Sequence, residues 1–377
     1  MIQKKKIKWK HYINYMVIGF FTILFTLLSL TGNVSISTQF LLEKIAISII
    51  LSVSLGLVVG FLGELSLGHA GFMCVGAYIG GKVSVLLNES LGTGVLNLLI
   101  SIIVGGIAAA ICGIIIGLPA LRLRGDYLAI VTLAFGEIVK TIFINTSEKS
   151  FGGATGLSTP RYDRNYLFIF AFLLVLFMLF IIQNLIRSKH GRAITAIRDS
   201  EIASRATGIN VTKYKLLVFA LSAFFAGIAG VLFSFSNYRV QCTKFDYNYS
   251  IEILVMVVLG GMGNINGGII SATLITILQV QLATILTGNL AVLQNVLYAL
   301  VLVLIVIYNN APSLKAVREK YSIKRFINSL KHKDDKSIQK DDEAKWDRIP
   351  TKIQVDDLLS MDIVVTESVQ NPDKGGK

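Results

Sequence analysis

Long apolar runs joined by short polar connections constrain this chain more than any other feature. Tyr12–Leu30, Phe40–Leu62, Leu96–Leu118, Tyr127–Ile144, Tyr166–Ile186, Leu216–Phe235 and Leu290–Tyr308 are such runs. Each is close to the roughly 20 residues that cross a bilayer as a helix. Hydrophobic residues make up 53% of the chain and charged residues 16%, whereas soluble domains average about 25% charged. Strands of a membrane barrel would be shorter and would alternate in polarity. The pattern therefore predicts an all-α fold, a polytopic transmembrane helical bundle of about 10 membrane segments with glycine-broken or re-entrant helices.

Charge divides the chain into regions. Residues 1–11 hold five lysines and no acid, which marks a cytoplasmic N-terminus. The first run lacks an Ala-x-Ala cleavage site and reads as a retained helix, not a signal peptide. Residues 12–310 form the membrane domain. Residues 311–377 read as a cytoplasmic tail, with an amphipathic helix at Ser313–Leu330 on anionic membrane lipid, then mostly disordered chain. The net charge of +13 comes from loops and tails flanking the spans, so it is not a nucleic-acid signal. Cys74, Cys112 and Cys242 show no metal or redox spacing.

Two glycine-rich stretches interrupt the apolar pattern. Gly63–Gly81 (GELSLGHAGFMCVGAYIGG) carries Glu64, Ser66 and His69. Irregular backbone at membrane depth needs protein or water over it, so this stretch is expected inside the bundle, beside any passage. Gly76 and Gly80, Gly113 and Gly117, and Ser222, Ala226 and Gly230 have the small-residue spacing of close helix contacts. The second stretch, GGMGNINGG at Gly260–Gly268, turns the chain on the cytoplasmic side if both termini are inside. The limb before it, near Tyr247–Leu259, is short enough for a half-helix.

Between two apolar runs lies Arg187–Lys215, the longest basic insert in the membrane domain. Ala193–Ala206 favours helix, Gly208 suits a C-cap, and Thr212 suits the N-cap of the next span. Positive-inside bias alone needs a few basic residues and no ordered helix. An ordered basic loop implies a docking partner, to which Arg192, Arg198, Asp199, Glu201 and Arg205 would present charge.

Catalytic chemistry has little to stand on. Gly76, Gly81 and Lys82 nearly spell a phosphate-binding loop, but Val83 stands where Ser or Thr would hold magnesium. No Ser/His/Asp set, metal-ligand spacing or paired-carboxylate site is defensible, so an enzyme is not expected. The acids in or beside spans are Glu43, Glu64, Glu137 and Glu252. Glu137 and Lys140 are placed to pair. Glu64 beside His69 is the best polar candidate, although structural hydrogen bonding outweighs solute contact for both. Glu64, Ser66, His69 and Glu137 are the path-lining candidates.

Four blocks then carry a resemblance: GELSLGHAGFMCVGAYIGG, LRLRGDYLAIVTLAFGEIVK, GRAITAIRDSEIASRATGINVTKYK and IEILVMVVLGGMGNINGG. In this order they resemble the permease subunits of branched-chain amino-acid ABC importers, of the LivM type, over about residues 40–308. The resemblance implies a channel subunit of the bacterial cytoplasmic membrane. It would work with a second homologous permease subunit, two ATP-binding subunits and an extracytoplasmic solute-binding protein. ATP and magnesium would be bound by partners, leaving this chain without a cofactor. The segment 187–213 would be the coupling loop in a cleft of the ATPase, with Gly191, Arg192, Arg198, Asp199, Glu201, Arg205 and Gly208 as its candidate residues. Alternatives are the same machine carrying nucleoside, urea or a short amide, or an ion-gradient transporter using Glu64 or Glu137. Nothing in the resemblance extends to residues 331–377.

Overall fold

The computed structural model describes residues 13–30, 35–121, 123, 125–286, 296, 299, 300 and 303. The expectations for residues 1–11 and 311–377, and for Leu290–Tyr308 as a complete span, lie outside the described residues.

The described chain is helical almost throughout. It runs α1 (Ile13–Leu30), α2 (Ile36–Gly56), α3 (His69–Leu91), α4 (Val95–Ala120), α5 (Asp126–Ile144), a one-turn α6 (Glu148–Phe151), α7 (Arg164–Arg187), α8 (Lys189–Asp199), α9 (Glu201–Ala206), α10 (Val211–Asn237), α11 (Tyr247–Gly260) and α12 (Ile265–Ile285). Its sheet is a two-residue antiparallel pair, β1 (Leu157–Ser158) with β2 (Arg239–Val240). Among the described residues, 7 helices are long and apolar enough to cross a membrane. α11 has 14 residues, about 21 Å of helix, short of the roughly 30 Å hydrocarbon core. It is the half-helix that its sequence allowed.

α2 is the hub. Its apolar window is 89% buried, because α7, α10, α11 and α12 all pack on it. At its end the coil widens into a π turn over Leu57–Leu62. That turn closes on Gly63, whose φ of 80° stops the helix. By contrast α4 turns Ile103, Ile107, Ile111 and Ile115 outward, an apolar face suited to lipid.

The expected small-residue contacts lie between α3, α4 and α10, which pack on one another most extensively. A Cβ on Gly76 would stand 2.2 Å from the Gly227 carbonyl oxygen, and one on Gly230 would stand 2.0 Å from that of Met73. Gly113 lies against Ala223, and Gly80 against Val231 and the Ser101 backbone. At Gly76 and Gly230 glycine lets backbones touch with no side chain between them, and at Gly113 and Gly80 it makes room for a neighbour's side chain.

Candidate functional site

One end of the bundle carries the basic insert, folded as α8 and α9. Ser188 caps α8 by accepting from the amides of His190 and Gly191. Ser200 breaks the helix and caps α9 by accepting from the Ala203 amide at 3.3 Å. Gly208 closes α9 with a φ of 83°, and the amides of Gly208 and Ile209 bond back to the carbonyls of Arg205 and Ser204. That is the paired helix ending for which glycine is suited. The cap of α10 corrects the sequence reading. Asn210, not Thr212, accepts from the Lys213 amide at 3.1 Å. The helix begins at Val211, two residues earlier than a cap at Thr212 would start it.

Buried Ile194 and Ile197 anchor the underside of α8. Gly191 sits so close to the end of α7 that a Cβ would meet the Ile186 carbonyl oxygen at 2.0 Å. Arg198 reaches into the bundle. Its Nη1 donates to the Gly60 carbonyl at 3.1 Å, and its Nε and Nη2 donate to Asp199 Oδ1 at 3.2 and 3.1 Å. Gly60 belongs to the π turn of α2, and it also abuts Gly263 in the turn between α11 and α12. Arg198 therefore joins α8, the widened end of α2 and the α11–α12 turn at one point.

A second tie lies beside it. Lys215 Nζ donates to Glu64 Oε1 at 2.5 Å and to Glu201 Oε2 at 3.2 Å. Glu201 also pairs with Arg205 one turn on, at 2.5 Å. Lys215, only 4% exposed at its side chain, was not among the residues singled out from sequence. As the fifth residue of α10 it is buried, although it reads as one more loop cation. Arg192 remains exposed on α8.

The path-lining candidates are not gathered in one place. Glu64 belongs to the Lys215 cluster and does not meet His69. His69 instead shares a 2.8 Å hydrogen bond with Ser54, whose carbonyl accepts from Ser222 at 2.7 Å. This network locks α2, α3 and α10 together. Glu137 pairs with Lys140 on α5. Ser66 lies in the irregular stretch before α3, where neighbours satisfy the backbone. The Leu67 amide donates to Thr132 and the Ala70 amide to Ser250. The Ser66 hydroxyl is buried, at 1% exposure, and has no hydrogen-bond partner.

Among the described residues no group of three His, Cys, Asp or Glu side chains could hold a metal. Cys74, Cys112 and Cys242 are free cysteines, of which Cys74 and Cys242 are buried.

Seven long apolar helices among the described residues, with the polar ties and the break of α2 buried among them, define a multi-pass membrane protein. The chain belongs to the family described as branched-chain amino acid transport system / permease component, whose model matches residues 37–306. It is 38% identical over 278 residues to the high-affinity branched-chain amino acid transport system permease protein LivM of Salmonella typhimurium. The match takes in 65% of this chain and 62% of that protein. The LivM protein of Escherichia coli K12 shows the same identity and coverage. The ribose import permease protein RbsC of Escherichia coli K12 is 29% identical over 202 residues, 50% of this chain and 57% of its own. The chain thus spans about three-fifths of the length of the curated LivM relatives it matches. No solved structure matches it.

Proposed function

We propose that this chain is the permease subunit of an ABC importer that moves branched-chain amino acids across the bacterial cytoplasmic membrane. Its partners are a second homologous permease subunit, two ATP-binding subunits and an extracytoplasmic solute-binding protein. ATP and magnesium sit on the ATP-binding subunits, and this chain catalyses no reaction itself. The end carrying α8 and α9 faces the cytoplasm, as its excess of Arg and Lys favours.

One observation supports this reading above the others, the contact of Arg198 with Gly60. A motor that shifts α8 would pull on the π turn of α2 and on the α11–α12 turn through this single side chain. Those segments adjoin the irregular stretch that holds Ser66. Movement there would switch the passage between its two openings, and the solute would need only weak contacts on the way. Arg192, Arg205 and the exposed top of α9 are the surface offered to the ATP-binding subunit. Gly191 and Gly208 shape that surface, and Asp199 and Glu201 orient its arginines.

The test is uptake and ATP hydrolysis in proteoliposomes carrying the whole complex. Arg198→Ala should leave assembly and hydrolysis in place and reduce leucine uptake by about tenfold or more, the scale of one lost charge-assisted hydrogen bond. Gly191→Ala should lose both, because its Cβ has no room. Full leucine uptake by Arg198→Ala would sink the coupling role. Ribose, nucleoside or urea competing where leucine does not would overturn the cargo.

A further inference from the structure

Midway along α2 lies a half-open cavity of about 280 Å³ lined by α2, α10, α11, α12 and the segment before α11. This is near the lower limit of roughly 300 Å³ for small-molecule sites, so it suits one small solute. Lys44 and Lys244 bring two ammonium groups to it, and Glu252 brings a carboxylate. Ile47 and Phe233 supply an apolar wall, and Tyr249 a phenol. Lys44 is held with its Nζ 4.7 Å from the centre of the Phe40 ring, a cation–π contact that fixes a flexible cation. Glu252 lies within electrostatic range of both Lys44 and Tyr249. From Lys44 to Gly60 is about 24 Å along the helix at 1.5 Å per residue. The cavity is therefore set well apart from the Arg198–Gly60 contact.

Charges of both signs beside an aliphatic and aromatic wall are a specific combination. A purely anionic ligand would leave Glu252 unmatched, and a purely cationic one would be repelled by the two lysines. A sugar would leave the charges unmatched. A free amino acid with an apolar side chain carries each complementary feature. We propose that this cavity is an entry station for an aliphatic zwitterion, whose carboxylate meets Lys44 and Lys244, whose ammonium meets Glu252, and whose side chain lies on Ile47 and Phe233. The inference rests on the reading of the chain as an amino-acid permease and adds to it a place where the solute is held.

The experiment uses the assembled complex in lipid nanodiscs, without the solute-binding protein. Ser48→Cys and, separately, Gln279→Cys serve as reporters, since both positions line the cavity. The rate of modification by a charged thiol reagent is followed with and without millimolar L-leucine. L-Leucine should slow it severalfold. 4-Methylpentanoate, which lacks the ammonium, and leucine amide, which lacks the carboxylate, should not. Adding Glu252→Gln should weaken protection about tenfold or more, as loss of one charge-assisted hydrogen bond would. No reaction at either reporter, no protection by L-leucine, or equal protection by all three compounds would overturn the station. If the wild-type complex, reconstituted in proteoliposomes with its solute-binding protein, still imports leucine on ATP in those cases, only the station falls. If it imports no branched-chain amino acid, the functional reading falls and takes the zwitterion assignment with it.

Discussion

Lys215 shows how much one buried charge can decide. It enters the bundle against two carboxylates, Glu64 and Glu201; without it Glu201 keeps Arg205, and Glu64 loses its ion pair. Removing one partner of a buried pair costs about 3–5 kcal/mol, because the other charge is left without compensation. Lys215→Met should therefore lower the melting temperature of the purified complex sharply. Adding Glu64→Gln to that variant should recover part of the loss. Unchanged melting in Lys215→Met would show that the pair contributes nothing. Sequence made the individual acids visible but not their partners. Glu64 and His69 are five positions apart and looked like a pair, yet the non-helical stretch between them turns them to different neighbours. Glu137 and Lys140 were legible because a regular helix fixes their spacing, and the structure pairs them. The contact of Arg198 with Gly60 spans 138 positions, a distance over which local pattern carries no information.

At the scale of elements, α9 is the most exposed part of the basic insert. It offers Ile202 at 75% exposure, next to Glu201 and two residues before the buried Ser204. A bare isoleucine on a six-residue helix gains by entering a partner's pocket, and burying such a side chain yields about 1.5–3 kcal/mol. Ile202→Asp should weaken association with the ATP-binding subunit by about tenfold or more, measured by titrating that subunit onto nanodisc-held permease. Unaltered affinity would exclude Ile202 from the contact. Sequence reading of the insert attended to its charges and passed over this residue, although an apolar side chain in a polar loop was the available signal. The helices themselves were legible from hydrophobic length. The break at Ser200 and the cap at Asn210 were not, because each depends on which of several polar side chains turns back to the backbone.

At the scale of the whole molecule, the bundle has a stiff part. α3, α4 and α10 meet backbone to backbone through Gly76, Gly227 and Gly230, with no side chains between them that could change rotamer and let them slide. Close-packed interiors shift between discrete arrangements and do not deform smoothly. These three helices should thus serve as a fixed frame, with the slip planes of any transport cycle running between that frame and the α11–α12 pair. Spin labels paired across α3 and α10 should keep one distance in resting and ATP-trapped states. Labels paired across α4 and α12 should change theirs, and a constant distance in both pairs would contradict the division. The glycines whose spacing predicted close helix contact then have a mechanical effect as well. By bringing backbones into contact they should make this frame stiff, the part of the described bundle against which the α11–α12 pair is displaced.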